Sequence, residues 1–455
     1  MKSAAVAEQV AASLAQASAR PLPQDVVETL RKLMLDIAGL IIAARNEDYV
    51  RAALASGDHG GGCTALGHDR SLDAYTAALV NGTAAHGEDY DDTFEGGPVH
   101  SGAVIVPAVL AICERERLGG ERLYKGMAAG VELLCRLSLV APKAIHKAGF
   151  HPTAVIGAIA AAAGVSVALG LSRAQTVSAL GIAGSMASGL IEYLAEGTWT
   201  KRMHAGWAAQ SGIRAALMAR AGFLGPRTVL EGPHGFFHGF APGRPPDFDP
   251  LLDGLGENWL LTAIAFKPYA CGTMTQPFID CAIGLAEEGV AADDIADMLC
   301  EVGEGTVHRL WEPLAVKHNP QTPYAAKFST PYCMALGFIH RKAGLSQFTQ
   351  AEIANADVAR LAGKIRYVVN PLDEYPRNFT GHLRATLKDG RVRELRQAHM
   401  RGGAHAPLTG AEIESKFMDN ALYGGWPREK AERLRLFIEK LAARESVAAI
   451  REFGA

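Results

Sequence analysis

The densest group of chemically active side chains lies between residues 86 and 102. It runs His-Gly-Glu-Asp-Tyr-Asp-Asp-Thr-Phe from His86 to Phe94, and His100-Ser-Gly follows. Its aromatic residues and the Ala-rich sequence before it predict partial burial, where carboxylates are costly unless they are paired or functional. We therefore interpret it as part of a functional site rather than as an acidic surface patch. Its histidines and carboxylates could alternatively hold a divalent ion, although no H-E-x-x-H or EF-hand pattern occurs.

Two further segments supply cations. Lys201, Arg202 and His204 stand just before a predicted helix that starts at Gly206, and cations beside a helix N-terminus make a favourable carboxylate site. Lys267 ends an apolar run, where its side chain would point into a cleft. The structural alternative is an exposed cationic surface for the first segment and a lysine reaching solvent for the second.

Two single residues are weaker candidates. His151 precedes a strongly apolar helix, where it could act in a site, cap the helix or be a satisfied core histidine. Tyr332 lies in an otherwise apolar segment, where the alternative to a functional role is a buried tyrosine with a backbone partner.

Composition excludes several classes of function. The 455 residues include 45 basic and 48 acidic side chains, so the net charge of −3 favours neither nucleic acid nor an anionic membrane as a partner. An anionic ligand must then be bound by a few basic side chains at its own site. Nucleotide-binding glycine motifs and the G-x-S-x-G nucleophile elbow are absent.

The cysteines and the N-terminal residues indicate a cytoplasmic protein. Seven cysteines occur without a C-x-x-C motif, which argues against a disulfide framework, a zinc site or an iron–sulfur cluster. Glu8 and Gln9 interrupt any apolar run near the start, so no signal peptide is expected.

Helical periodicity dominates the first half of the chain. Apolar runs predict helices over residues 103–115, 124–140, 153–171, 174–194 and 206–221, besides one after a capping box at Asp25 and Glu28. The apolar stretch 154–169 is shorter than the ~20 residues of a membrane span. Its Ala- and Gly-rich composition predicts a helix buried by other helices.

The pattern changes after residue 261. Short runs at 262–266, 299–302 and 365–369 predict strands, and residues 382–395 predict a hairpin with a tight Asp389-Gly390 turn. Amphipathic helices return at the C-terminal end. We therefore predict a mainly α protein, with an all-helical domain (1–261, completed by 400–455) and an inserted α+β lid domain (262–399).

These segments, taken in order, resemble the MmgE/PrpD family, which includes 2-methylcitrate dehydratases, cis-aconitate decarboxylase and iminodisuccinate epimerase. The resemblance covers about residues 33–417. Its marks are Asn81-Gly82 with His86, Asp89-Tyr-Asp-Asp-Thr93, His100-Ser-Gly102, Phe150-His-Pro152, Thr200-Lys201 with His204-Ala-Gly206, Lys267-Pro-Tyr269, and Lys327-Phe-Ser329 with Tyr332.

The resemblance implies a helical domain with an α+β lid, an active site between them, a homodimer, and no metal or other cofactor. The catalytic residues that we assign are Asp89, His100, His151, Lys201 and Tyr332. The substrate-binding residues are Thr93, Lys267 and the neighbouring His204, and the cationic segment adds Arg202.

The chain departs from the family pattern on the lid side. In the decarboxylase branch a histidine follows the lid lysine by five positions, where this chain has Gly272. Many other members carry Thr-His where this chain has Thr275-Gln276. These differences weaken a transfer of decarboxylase activity.

The family chemistry makes or breaks a bond at the carbon beside a carboxylate. Under the hypothesis, His100 or His151 is base or acid, and Asp89 orients a histidine or fixes its protonation. Lys201 and Lys267 bind carboxylates, and Tyr332 donates a proton or a hydrogen bond. A 2-methylcitrate dehydratase-like lyase of a small di- or tricarboxylic acid is the first prediction. An epimerase of an amino- or iminodicarboxylate is second and a decarboxylase third, with a non-catalytic binding protein as the alternative of another class.

Overall fold

Helices make up most of the first 260 residues and return at the C-terminal end, as the apolar periodicity predicts. A computed structural model describes residues 4–58, 60–97 and 99–454. The chain divides into two units. The first holds the residues up to Gly87, Asp91–Ile264 and the residues from Gly410 onward, and the second holds Glu88–Tyr90 and Ala265–Thr409.

The helices and strands are numbered in chain order. The helices are α1 Val6–Ser18, α2 Gln24–Ala44, α3 Asp48–Ala55, α4 Ala74–Gly87, α5 Gly102–Arg115, α6 Gly120–Val140, α7 Ala144–Lys147, α8 Pro152–Leu169, α9 Arg173–Met186, α10 Tyr193–Glu196, α11 Thr200–Arg220, α12 Phe236–Phe240, α13 Asp249–Leu252, α14 Gln276–Glu287, α15 Glu304–Leu310, α16 Leu314–His318, α17 Pro323–Ala326, α18 Thr330–His340, α19 Gln350–Ile353, α20 Ala356–Ala362, α21 Gly410–Tyr423 and α22 Arg428–Glu439. The strands are β1 Cys63–Thr64, β2 Ser71–Leu72, β3 Thr93–Phe94, β4 Ile264–Ala265, β5 Ile295–Val302, β6 Ile365–Val369, β7 Gly381–Leu387 and β8 Val392–Gln397.

Helix α8 is the centre of the first unit. It packs against α5, α6, α9 and α11. Its length and mean hydropathy of 1.9 would suit a membrane span, but 83% of it is buried inside the protein. Burial on all sides explains why this helix can be apolar around its whole circumference. The prediction of a core helix at 154–169 is confirmed.

Two glycines let α4 and α11 approach closely. A Cβ added to Gly82 would lie 2.6 Å from the Cα of Gly206, and one added to Gly206 would lie 2.1 Å from the carbonyl oxygen of Leu79. Neither distance is possible between real atoms, so the crossing requires glycine on both helices. The contact fixes the relative placement of two helices that each carry a candidate site histidine.

The second unit contains a four-stranded sheet in the order β6-β5-β7-β8. β5 pairs parallel to β6, with Met298 opposite Ile365, and antiparallel to β7, with Cys300 opposite Leu383. β7 and β8 form the hairpin that Asp389-Gly390 predicts, and Gly390 has a φ of +87°. Alternate side chains of β7 are buried. Helix α14 packs against both hairpin strands and against α18.

Three local predictions are wrong. The predicted helix 174–194 ends at Met186, because Ala187 turns to an extended conformation. The next long helix, α11, begins at Thr200 instead of Gly206, so Lys201 lies in its first turn. The Asp25–Glu28 capping box does not form, since Pro23 is the N-cap residue of α2 and Glu28 pairs with Arg31.

Candidate active site

Four histidines from four separate segments of the first unit lie side by side. His86 ends α4, His100 precedes α5, His151 is the N-cap residue of α8, and His204 lies in α11. The ring centroid of His86 is 4.9 Å from that of His100 and 5.5 Å from that of His151, which in turn is 5.3 Å from that of His204. Three of the four, all except His100, are at most 6% exposed.

Asp91 and the backbone of Asp92 hold the first two rings. The Oδ2 atom of Asp91 lies 2.8 Å from Nδ1 of His86, and its Oδ1 atom lies 3.4 Å from Nδ1 of His100. Nδ1 of His100 is also 2.7 Å from the carbonyl oxygen of Asp92. A carbonyl oxygen can only accept, so this nitrogen carries the proton. In neutral His100 the lone pair is then on Nε2, which suits a general base.

Asp92 joins this segment to the start of α5. Its carboxylate accepts hydrogen bonds from the backbone N–H groups of Ser101 and Gly102, at 3.0 and 2.8 Å, and from the Ser101 hydroxyl at 2.6 Å. Burial, together with the neighbouring charge of Asp91, raises the pKa of Asp92 to about 7. The consecutive buried carboxylates therefore have different surroundings, with Asp91 facing imidazoles and Asp92 anchoring a helix.

His151 and His204 form a second pair. Their Nδ1 atoms lie 3.2 Å apart, so one must donate and the other accept. Burial lowers the pKa of His151 well below its usual value, and the charges of His86 and Lys201 lower it further. The same causes lower the pKa of His204 to about 4. Both rings are therefore neutral near pH 7, beside a buried lysine.

The Tyr193 ring packs against the His151–His204 pair. Its ring stands edge-on to His151 and His204, with centroids 6.3 and 5.8 Å away. The backbone before it is aligned with the His151 segment, because the N–H of His151 donates to the carbonyl of Gly189 at 2.9 Å. Gly189 has a φ of +135°, a conformation that favours glycine.

The same residues could in principle bind a metal. His86, Asp91 and His100 each offer a ligand atom, and these atoms lie within 4.8 Å of one another. Nδ1 of each histidine already has a hydrogen-bonding partner, however, so a metal bound through Nδ1 would have to displace one.

Two buried lysines of the second unit hold residues 88 and 89. Nζ of Lys267 donates to the carbonyl oxygen of Asp89 at 2.8 Å and lies 3.5 Å from its Oδ1. Nζ of Lys327 donates to the carbonyl of Glu88 at 2.9 Å and also to its carboxylate. Both lysines are 1% exposed, which excludes the alternative of a Lys267 head group in solvent. Asp89 has a φ of +56°, and this turn helps to aim its carbonyl at the lysine.

The remaining predicted site residues have diverse surroundings. Thr93 is buried in β3. The guanidinium carbon of Arg202 lies 4.4 Å from the centre of the Tyr49 ring. The Tyr332 hydroxyl donates to the carbonyl oxygen of Glu352 at 2.8 Å, and burial raises its pKa. This matches the structural alternative for Tyr332, a buried tyrosine with a backbone partner.

Two family models together match most of the chain. Residues 8–249 match the MmgE/PrpD N-terminal domain, and residues 269–442 match the MmgE/PrpD C-terminal domain. The chain belongs to the MmgE/PrpD family.

Similar curated proteins are cis-aconitate decarboxylases and a related protein. The enzyme of Aspergillus terreus is 30% identical over 372 residues, which cover 76% of this chain and 74% of that protein. The enzyme of Mus musculus is 30% identical, with 80% and 75% covered. The cis-aconitate decarboxylase-like protein oryM of Aspergillus oryzae is 28% identical, with 87% and 86% covered.

The two departures from the MmgE/PrpD pattern lie in a tightly packed part of the second unit. The N–H of Gly272 donates to the carbonyl of Lys327 at 2.9 Å, and a Cβ there would make only ordinary contacts. Gln276 is fully buried, and its amide nitrogen lies 3.3 and 3.4 Å from the carbonyl oxygens of Tyr269 and Cys271. Gln276 thus has a role in holding this loop.

Some residues that the structure brings into the site had no assigned role in the sequence analysis. His86 and Asp91 were recognised as part of a cluster, but the cluster offers several carboxylates and no spacing rule selects the one that reaches a histidine. Tyr193 lies outside that cluster in the sequence, and its packing against the rings of His151 and His204 identifies it.

Proposed function

We propose that this member of the MmgE/PrpD family is a cofactor-independent lyase that acts at the carbon beside a carboxylate of a small di- or tricarboxylic acid. The single observation that carries the proposal is the buried histidine cluster with Lys201 beside it. A group of neutral bases next to a cation suits removal of a proton whose departure builds negative charge on a carboxylate.

His100 is the base in this proposal. Its Nδ1 proton is held by the Asp92 carbonyl, so Nε2 accepts the substrate proton. Lys201 binds the carboxylate and stabilises the charge that develops on it. The electrons of the broken C–H bond form the carbon–carbon double bond and the C–O bond breaks. The hydroxyl takes up the proton that His100 has accepted and leaves as water, so that His100 returns to its neutral form. The neutral His151–His204 pair supplies a hydrogen bond to the leaving group.

The first candidate reaction is dehydration of a 2-methylcitrate-like acid. Decarboxylation is the second candidate reaction, because the similar enzymes of Aspergillus terreus and Mus musculus are cis-aconitate decarboxylases. Gly272 stands where the decarboxylase branch has a histidine, which favours dehydration over decarboxylation, whereas Gln276 departs from the Thr-His of many other members and favours neither reaction. An epimerase would need only the proton removal and return that His100 and a second histidine can perform. Retention of the fold as a non-catalytic binding protein is least favoured, because buried ionisable groups are costly without a function.

Proton NMR in deuterated water distinguishes these reactions. The purified protein is incubated with citrate, 2-methylcitrate, cis-aconitate and aminodicarboxylates. A new alkene signal indicates elimination, carbon dioxide release indicates decarboxylation, and deuterium at the α carbon without net conversion indicates epimerisation. We expect elimination with a 2-methylcitrate-like acid. Absence of exchange or conversion with every acid would contradict the proposed enzyme.

Independence from metal is tested by the same assay. Turnover should be unchanged after dialysis against a chelator, because proton transfer is assigned to histidines and carboxylate binding to a lysine. Loss of turnover that is restored by a divalent ion would favour the metal site of His86, Asp91 and His100 instead. The homodimer, the cytoplasmic location and the lid role of the second unit also stay predictions.

A further inference from the structure

His86 lies within the histidine cluster but has no role in the proposed reaction. It is 1% exposed, and its ring contacts those of His100 and His151, the two histidines that the resemblance implicates. The planes of His86 and His151 are inclined by only 20°, so these rings stack. Any change in the orientation of His86 would therefore disturb both neighbours.

Asp91 fixes this ring. It is fully buried, and its Oδ2 atom is 2.8 Å from Nδ1 of His86. An ionised carboxylate only accepts hydrogen bonds, so the Nδ1 atom of His86 carries a proton. The other carboxylate oxygen lies 3.4 Å from Nδ1 of His100. One carboxylate therefore lies against the same nitrogen of two adjacent imidazoles.

A purely structural role explains this arrangement poorly. The Nε2 atom of His86 is buried and has no hydrogen-bonding partner among the residues that the structure describes. A buried polar atom without a partner carries a desolvation penalty, and a well-packed apolar pair at positions 86 and 91 would avoid that penalty. The polar pair is therefore best explained by an effect on its neighbours.

We propose that Asp91 and His86 form a positioning pair: Asp91 sets the tautomer of His86, and the His86 ring holds the rings of His100 and His151 in the orientation needed for proton transfer. The identity of the reaction rests on the proposed function, whereas the tautomers of the rings can be measured independently of it. Asp91 acts through His86 and His100, which it contacts. The His86 ring acts by packing against the rings of His100 and His151. Neither residue needs to touch the substrate.

The test compares Asp91→Asn with a matched control. The introduced amide has the same shape as the carboxylate but can turn its nitrogen toward His86, which would then carry its proton on Nε2. Glu114 offers the control. It is a buried carboxylate of the same unit that accepts hydrogen bonds from the backbone N–H and hydroxyl of Thr64, at 2.8 and 2.5 Å, away from the histidines. Glu114→Gln thus also removes a buried carboxylate.

Two measurements are made on each protein. Imidazole nitrogen shifts of the ¹⁵N-histidine-labelled protein report the tautomers, with the signals of His86 and His100 assigned from variants in which each is replaced by asparagine. Steady-state kinetics on the acid that the wild type converts give kcat and KM separately. A wrongly set tautomer in a catalytic dyad can cost several powers of ten in kcat. For Asp91→Asn we expect a loss of about 100-fold in kcat, a KM within about 3-fold, and altered His86 shifts.

The control and a conservative variant complete the design. Glu114→Gln should keep the histidine shifts and keep kcat within about 3-fold, even if it lowers the melting temperature. Asp91→Glu should retain the Nδ1-protonated form of His86 and recover part of kcat. Unchanged His86 shifts with full kcat in Asp91→Asn would overturn the positioning role, as would an equal loss of kcat in both carboxylate-removal variants. If the wild type converts none of the acids, the proposed function fails, while the nitrogen shifts still test the positioning pair.

Discussion

At the scale of single residues, the tautomer of His100 is set by its surroundings. The Asp92 carbonyl requires a proton on Nδ1, which leaves the lone pair on Nε2, the atom that serves as the base in the proposed reaction. We expect His100→Asn to lower kcat by about 10²–10⁴-fold, the usual contribution of a general base. The measurement is turnover of the acid identified by NMR, with circular dichroism and the melting temperature as controls for folding. A folded variant with full turnover would remove His100 from the mechanism.

The depressed pKa of His204 predicts a pH dependence of stability. In the folded protein its pKa is about 4, against about 6.5 in the unfolded chain. Between these values the unfolded state binds more protons, so His204 lowers the free energy of unfolding as the pH falls from about 6.5 to 4. Denaturant unfolding at several pH values should show that the free energy of unfolding falls less on acidification for His204→Gln than for the wild type. Parallel curves for the two proteins would contradict the prediction.

At the scale of elements, the crossing of α4 and α11 controls the site. These helices carry His86 and His204, and their backbones meet at Gly82 and Gly206. We expect Gly206→Ala to lower the free energy of unfolding by about 1–3 kcal/mol, because the added methyl overpacks the crossing. It should also lower turnover by separating the two histidines.

The control for this substitution is Gly239→Ala. Gly239 lies exposed in α12, where an added Cβ has no neighbour within 4 Å. Alanine there should be neutral or stabilise the protein by up to about 1 kcal/mol. Chemical denaturation of both variants gives the comparison, and equal stability of the two would show that the helices can separate without cost.

At the scale of the whole molecule, the family resemblance predicts a homodimer. One chain has a mass of 48.2 kDa, so light scattering after size-exclusion chromatography should give about 96 kDa, twice that value. The measurement is made over a range of micromolar concentrations, since a weak dimer would dissociate on dilution. A mass of one chain at every concentration would contradict this prediction.

The sequence alone determined the local architecture and the family. Helix α8 could be predicted because its run of small and apolar residues indicates a helix buried by other helices, and the hairpin β7–β8 because Asp389-Gly390 selects a tight turn. The candidate residues His100, His151 and Lys201 could be identified because their motifs recur in a fixed order. The predicted start of α11 at Gly206 is wrong, because the helix begins at Thr200 and Gly206 serves a helix crossing.

Only the tertiary structure decided which of these side chains act together. Asp89 and Asp91 are two positions apart, yet Asp89 lies beside Lys267 and Asp91 beside His86 and His100. Hydrogen-bonding partners from distant segments make this selection, and no local pattern encodes their distance. Burial likewise sets the low pKa of His204, because the loss of solvent depends on residues throughout the first unit. Sequence therefore supplies the chemical groups, and packing determines their protonation and partners.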